Sequence, residues 1–391
     1  MTVRIAMVAG EASGDLLASH LMAAIKTRLP DAVFFGIGGS KMVTQGFDAW
    51  WPSETLSVMG FSDVFKRYRE LSGIRNTLRK RLLANPPDIF IGVDAPDFNL
   101  GLEMALKSRN ITAMHYVSPS IWAWRGGRIN KIRRSVSHML ALFPFEPPIY
   151  EKAGIPVTYV GHPLADILPM VPNLPLTRER LGIPAAAPVF AMLPGSRQGE
   201  LRLLADPFIE TARLIHAQLP DARFLVPLTT RETRLMFEEA IYRCKAHELP
   251  IKMLFGHAQD AMTAADGVLV ASGTATLEAA LLKRPMVIAY KLASFSHFLM
   301  KRMGYLPYVG LPNILAGRFV VPEFIQDDAT PAKLAEALLA QYADKEGRAA
   351  IVSEFEQMHL ALKQNTAERA AQAVLACLNK RPQRSDGLAV A

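Results

Sequence analysis

Short apolar runs that break into a small-residue turn and then open a helix recur along this chain. They constrain its fold more than any other feature. The clearest copy is Gly267-Val268-Leu269-Val270-Ala271-Ser272-Gly273-Thr274-Ala275-Thr276-Leu277-Glu278. Arg4–Ala9, Val33–Ile37, Ile89–Val93, Ile111–Val117 and Met139–Phe143 supply strands in the first half. Val189–Leu193, Arg223–Val226, Ile251–Phe255 and Met286–Tyr290 restart the pattern in the second. Continuous apolar runs suit parallel strands buried on both faces, and the stretches between them carry helix spacing. The fold class expected is α/β: two facing, Rossmann-like, doubly wound parallel-sheet domains with a helical C-terminal tail. The boundaries expected are 1–165 and 166–350, with a proline-rich hinge ending near Pro175. A tail over 351–391 is expected to pack back toward the first domain, its last ten or so residues disordered.

Composition narrows the class. The chain has 391 residues, 50% hydrophobic and 20% charged, enough for large cores and unlike a disordered protein. Cys244 and Cys377 offer neither a disulfide framework nor a metal cluster, which fits a reducing cytoplasm. Met1–Glu11 makes a poor signal peptide and a good first strand. No apolar run approaches the about 18 residues that span a bilayer. The net charge of +8 asks for an anionic partner, but no nucleic-acid module accompanies it.

Much of that charge is concentrated. Phe61, Val64, Phe65, Tyr68, Leu71, Ile74, Leu78 and Leu82 recur at helix spacing. Lys66, Arg67, Arg69, Arg75, Arg79, Lys80 and Arg81 share the stretch with only Asp63 and Glu70. Such a segment reads either as an interfacial helix for anionic lipid, divided at Gly73, or as a core-packed helix with a basic outer side. Trp122 and Trp124 precede Arg128, Lys131, Arg133 and Arg134, and suit either a headgroup interface or a ligand cleft.

The turns after the strands carry the chemistry. A helix N-terminus presents unpaired N–H groups and partial positive charge, so Ser272, Gly273, Thr274 and Thr276 suit a diphosphate; an ordinary capped helix is the alternative. Glu278 is expected within about the first helical turn. Gly195, Ser196 and Arg197 form a similar turn, whose arginine can stabilise a diphosphate leaving group. Gly10-Glu11-Ala12-Ser13-Gly14-Asp15 follows the first strand without a dinucleotide fingerprint. Its glycines allow a close backbone approach, and Ser13 can meet a ligand hydroxyl. Asp94, Asp97 and Asn99 follow a buried strand at the end where such sheets bind ligands. Asp97 is read as a general base for an attacking hydroxyl, and Asp94 or Asn99 as a helix cap. No ligand cluster indicates a metal.

Together with Ser118-Pro119-Ser120-Ile121-Trp122-Ala123-Trp124-Arg125 and Leu311-Pro312-Asn313, these motifs resemble the lipid-A-disaccharide synthase family, in order and over nearly the whole chain. The resemblance implies an inverting, metal-independent glycosyltransferase of GT-B architecture with no cofactor, from a Gram-negative bacterium. It implies UDP-2,3-diacylglucosamine as donor and 2,3-diacylglucosamine 1-phosphate as acceptor. The products would be a β-1,6-linked disaccharide phosphate and UDP. The enzyme would be cytoplasmic, peripheral on the anionic inner face of the inner membrane and compatible with a homo-oligomer. Carried over by position, Asp97 is the base. Gly10, Glu11, Ser13, Asp88 and Asn99 lie on the acceptor side. Gly195, Ser196, Arg197, Ser272, Gly273, Thr274 and Thr276 face the diphosphate, Glu278 the ribose, and Asn313 the donor side. Another GT-B enzyme using UDP-N-acetylglucosamine, transferase or epimerase, is the nearest rival. A non-catalytic lipid-binding protein is a rival from a different class.

Overall fold

The computed structural model describes residues 2–56, 64–123, 126–291 and 307–379, with side chains in the third helix from Arg69 onward. The chain divides into two compact units. Unit 1 holds Met1–Pro163 and Lys363–Ala391; unit 2 holds Leu164–Leu362.

Unit 1 is a parallel seven-stranded sheet. Its elements run β1 (Arg4–Ala9), α1 (Ala12–Lys26), β2 (Val33–Gly38), α2 (Ser40–Thr44), β3 (Phe47–Pro52), α3 (Val64–Ala84) and β4 (Ile89–Val93). They continue with α4 (Pro96–Lys107), β5 (Thr112–Tyr116), α5 (Ile129–Ser135), β6 (His138–Ala141), α6 (Pro147–Lys152) and β7 (Val157–Tyr159). The spatial order is β3-β2-β1-β4-β5-β6-β7. Every residue of β4 is buried, as a strand covered on both faces requires. The chain order therefore reverses between β1 and β4, which pair in register from Ile5↔Ile89 to Ala9↔Val93.

Unit 2 begins with α7 (Pro163–Ile167, after its first residue) and α8 (Leu174–Arg180). It continues with β8 (Val189–Leu193), α9 (Gln198–Gln218), β9 (Arg223–Leu228), α10 (Arg231–Arg243), β10 (Ile251–Phe255), α11 (Ala258–Ala264), β11 (Gly267–Ala271) and α12 (Thr274–Leu281). Then follow β12 (Met286–Tyr290), α13 (Leu311–Ala316), β13 (Glu323–Ile325), α14 (Pro331–Ala343) and α15 (Lys345–Leu362). The order β10-β9-β8-β11-β12-β13 repeats the design of unit 1, reversing between β8 and β11. Phe190, Met192, Phe224, Val226 and Leu269 form the core on one face with α9 and α14.

Several expectations shift. α15 buries Phe355, Met358, His359 and Leu362 within unit 2, so the part of the tail that begins at 351 belongs there. The return to unit 1 starts at Lys363, and α16 (Thr366–Asn379) packs on α1, where Arg28 pairs with Glu368. The last residues, from 380, lie outside the described residues. The crossing between units at Pro163 precedes the proline-rich stretch instead of lying within it. α3 runs through Gly73 without interruption. Its Leu78 and Leu82 are fully buried against Val8, Phe90 and Leu102, so they face the sheet and not a lipid surface. Arg81 lies 3.9 Å from the Trp50 ring centroid, a cation–π contact within the unit. Phe61 lies outside the described residues, as do the side chains of Val64, Phe65, Lys66 and Arg67. Among the described residues, no helix is long and apolar enough to cross a membrane.

Candidate active site

Ligands of open parallel sheets bind beyond the carboxyl ends of the strands, where the strand order reverses. In unit 1 the two turns flanking that point are Gly10–Asp15 after β1 and Asp94–Asn99 after β4. The second turn is backbone-strained. Asp94 and Ala95 adopt left-handed conformations (φ +54° and +40°) before Pro96 starts α4. That conformation aims the Asp94 carboxylate back at the first turn, where it accepts Gly10 N at 2.8 Å and Glu11 N at 3.1 Å. Asp94 thus joins the two turns and does not cap α4, whose N-cap is Ala95. Burial pushes the Asp94 carboxyl up to about 7, reinforced by the neighbouring Glu11 charge, while the two N–H groups and His115 oppose the rise.

The two glycines of the first turn serve this contact. A Cβ on Gly10 would fall 2.7 Å from Ala95 Cβ, and one on Gly14 would fall 1.9 Å from Asp94 Oδ2. The close approach read from the sequence is therefore to Asp94. Asp15 is also structural: buried, it accepts Gly39 N, Lys41 N and Met42 N, tying α1 to the start of α2. Glu11 and Ser13 are exposed on the turn.

Asp97 stands in the first turn of α4, with 76% of its side chain exposed. Arg128 pairs with its carboxylate, and Arg75 Nη1 donates to its backbone carbonyl at 3.4 Å. A concavity of about 320 Å³ opens here, lined by Glu11, Asp94, Asp97, Arg128 and the Val117–Ile121 segment after β5. A carboxylate with a free face in a pocket, steadied by a guanidinium, is placed to take a proton from a bound hydroxyl.

Two acceptor-side residues lie elsewhere. Asn99 is fully buried, and its amide donates to Asp94 O at 3.0 Å and lies 3.4 Å from Val8 O, fastening the ends of β1 and β4. Asp88 sits at the other end of β4, where its carboxylate accepts Arg4 N at 2.8 Å. It belongs to the amino-terminal end of the strands, opposite the end that carries Asp97. Trp122 packs edge-on against Phe143 and Phe145 and donates to Glu146 at 3.2 Å, so its ring is held by protein. Trp124 lies outside the described residues.

Unit 2 repeats the arrangement with different chemistry. Gly195–Arg197 after β8 and Ser272–Thr274 after β11 flank its reversal point side by side, since β8 and β11 are paired. Gly195 takes φ +115° and Gly273 φ +127°. A Cβ on Gly273 would meet nothing within 4 Å, and Gly273 and Thr274 are both exposed, so the turn that starts α12 faces solvent. Arg197 is the N-cap residue of α9, where its backbone N–H and its Nη1 donate to the Glu200 carboxylate at 3.5 and 3.3 Å, and 84% of its side chain is exposed beside this turn. Ser272 Oγ donates to Val309 O at 3.2 Å, and Thr274 is exposed.

Two residues expected to face the donor are used inside the unit. Thr276 is buried; its hydroxyl donates to Gly273 O at 2.7 Å and accepts Leu311 N at 3.2 Å. Asn313 is also fully buried. It donates to Val321 O and Glu323 Oε1, and accepts Val320 N and Val321 N, all within 3.0 Å. Both build the turns and offer no group to a ligand. Glu278 is the fifth residue of α12, beyond its first turn, where burial raises its carboxyl and Gln259 holds it by a hydrogen bond. Glu323, absent from the sequence reading, accepts Val309 N and Gly310 N besides Asn313. Among the described residues no group of acids, histidines and cysteines is placed to hold a metal.

Comparison with known proteins gives these turns a context. The family model described as lipid-A-disaccharide synthetase matches residues 5–377. A lipid-A-disaccharide synthase of Dechloromonas aromatica is 67% identical over 96% of this chain and 99% of its own. A lipid-A-disaccharide synthase of Aromatoleum aromaticum is 62% identical over 98% of each. Among solved structures, a glycosyltransferase involved in lipopolysaccharide biosynthesis superposes with a TM-score of 0.58 at 13% identity, over 95% of this chain and 99% of its own. At that identity the likeness concerns the fold, and the fold is GT-B.

Proposed function

This chain belongs to the lipid-A-disaccharide synthase family and is a glycosyltransferase of lipid A biosynthesis, and on that premise we propose how its two units divide the reaction. Unit 1 binds the acceptor, 2,3-diacylglucosamine 1-phosphate, and unit 2 binds the donor, UDP-2,3-diacylglucosamine. Asp97 takes the proton of the acceptor 6-hydroxyl as its oxygen attacks the anomeric carbon of the donor. The bond from that carbon to the diphosphate breaks on the opposite face, which inverts an α-linked donor to a β-1,6 linkage. UDP leaves against Arg197 and the open N–H groups at the start of α12, whose positive ends offset its charge. Glu278 holds the ribose, Ser272 and Thr274 line the diphosphate turn, and Thr276 and Asn313 act by building that turn.

One observation carries this reading most strongly. The strand order reverses once in each sheet, and the flanking turns hold a carboxylate in unit 1 and anion-binding groups in unit 2. An inverting displacement needs those two chemistries. On this reading Arg197 and the N-terminus of α12 offset the diphosphate charge in place of a metal, so turnover should persist in EDTA. For the lipid surface, the described side chains leave Arg69, Arg79 and Lys80 exposed on α3. We place the anionic inner-membrane face there, as substrates with acyl chains require.

The test is a mass-spectrometric assay with both diacylated monosaccharides, in EDTA, on wild type and Asp97→Asn. Disaccharide and UDP from wild type, with turnover lost by about 10²–10⁴-fold in a folded variant, is the expected result. Full activity in the variant would remove Asp97 from the reaction. Turnover of unacylated UDP-N-acetylglucosamine in place of the acylated donor would favour the rival sugar-nucleotide enzymes.

A further inference from the structure

Glu146 has no part in the reaction above, yet it is among the most buried carboxylates of unit 1, with 1% of its surface exposed. It stands at the N-cap position of α6, but its side chain makes no cap hydrogen bond there. Instead Oε2 accepts Leu142 N and Phe143 N, each at 3.0 Å. Oε1 accepts the Trp122 indole N–H at 3.2 Å, and the Ser118 hydroxyl also bonds the carboxylate. Ser118 Oγ lies 2.6 Å from the buried Tyr150 hydroxyl. Ser118 Oγ also donates toward Pro119 O at 3.2 Å, so the Glu146 carboxylate gathers three N–H donors and shares the Ser118 proton as a fourth.

Two of those donors come from one place, the segment after β5. Val117–Ile121 of that segment lines the Asp97 pocket, together with Arg128. The segment begins with Val117 at φ +81°, a conformation that a β-branched residue adopts only where its surroundings impose it. Ser118 and Trp122 bracket the rest of the pocket wall, and both are held from behind by the same carboxylate.

We propose that Glu146 is a positioning residue for the acceptor: its carboxylate holds the 118–122 segment in the shape that walls the Asp97 pocket, and so sets acceptor affinity without touching substrate. This rests on the reading of that pocket as the acceptor site. Glu146→Gln tests it by keeping the volume. Its carbonyl serves Leu142 and Phe143, while its amide turns a donor toward the Trp122 and Ser118 donors. Trp122→Phe keeps the ring against Phe143 and Phe145 and removes only the N–H. It carries the test should the glutamine variant fail to fold.

The measurement is steady-state kinetics on the full chain, with acceptor and donor varied separately and Asp97→Asn run alongside. The acceptor KM should rise about tenfold in Glu146→Gln and severalfold in Trp122→Phe. Donor KM, and kcat at saturating acceptor, should stay within about twofold. A merely structural residue would lower the melting temperature and leave the acceptor KM in place, and that result overturns the proposal. So does an equal rise in both KM values. Loss of turnover in Asp97→Asn keeps the acceptor-pocket reading standing whatever Glu146 does. Full activity there removes that reading and the proposal with it.

Discussion

The Asp94 carboxyl offers a quantitative test of the site's construction. Its pKa rises from 3.8 to about 7 on folding, because burial outweighs the two backbone N–H groups it accepts. Between those values the folded protein keeps a proton that the unfolded chain has released. Stability of unit 1 from this group is therefore full below about pH 3.8 and is lost as pH rises toward 7. A shift of this size corresponds to about 4 kcal/mol, or about 2 kcal/mol after screening through the open pocket. Asp94→Asn removes the titration while preserving the backbone, since asparagine tolerates the left-handed φ of +54°. All four tryptophans, Trp50, Trp51, Trp122 and Trp124, fall in unit 1, so fluorescence excited selectively at tryptophan reports this unit during urea unfolding. Glu146, which burial also raises to about 7, is present in both proteins and cancels in the comparison. The stability of wild type relative to Asp94→Asn should fall by about 2–4 kcal/mol between pH 4 and pH 8. Parallel curves for the two proteins, or a relative gain for wild type as pH rises, would refute the account of Asp94 as a buried, costly carboxylate joining two turns.

Other expectations follow from single contacts. Gly14→Ala places a methyl 1.9 Å from Asp94 Oδ2, so disaccharide formation should fall at least about tenfold while UDP binding, measured by calorimetry, is unchanged. Leu78→Ala should destabilise the tryptophan-reported transition by about 2–5 kcal/mol without weakening vesicle binding of the folded protein. Arg79→Ser with Lys80→Ser should do the reverse, leaving stability within about 0.5 kcal/mol and weakening flotation with anionic vesicles in a salt-dependent way. Arg197→Met should lower kcat by about 10²–10³-fold with or without EDTA, as the leaving diphosphate loses its cation.

The sheets were legible because their strands are buried on both faces, and burial leaves a continuous apolar signature, as in Ile89–Val93. The three strands not anticipated, Phe47–Pro52, Val157–Tyr159 and Glu323–Ile325, are all edges. Phe47–Pro52 pairs only with β2, across a register shift at Gly36/Ile37, and its DAWW core mixes acid with aromatic. Glu323–Ile325 is three residues long and half-buried. Val157–Tyr159 is equally short and half-buried, and it pairs only with β6. None of the three needs an apolar run, so none leaves one. The basic amphipathic pattern of α3 was equally real, but periodicity states only that a helix has an apolar face. Leu78 and Leu82 meet Phe90 and Leu102 across space, and nothing local to the helix specifies that partner.

The site residues divide on the same physical ground. A hydroxyl or amide beside a glycine turn has two uses, to meet a ligand or to satisfy the turn, and the sequence is identical in both cases. Ser272-Gly273-Thr274 and Thr276 stand within five residues, yet Thr274 is exposed while Thr276 spends its hydroxyl on Gly273 O and Leu311 N. Two residues, about half a helical turn, separate a residue at the open mouth from one beneath it. Asn313 shows the longer-range version: its four bonds reach Val320, Val321 and Glu323, so its purpose is visible only when that later segment has returned to it. Arg128 and Glu146 invert the problem. They sit in a cationic run and beside a proline pair, contexts that read as surface and as turn, and they gain meaning only because β5 and β6 are neighbours. A residue such as Asp97 is legible because it projects its group from the end of a strand that can be recognised locally. A residue that shapes the pocket from behind must bond elements far apart in sequence, and the physics that makes it effective also hides it.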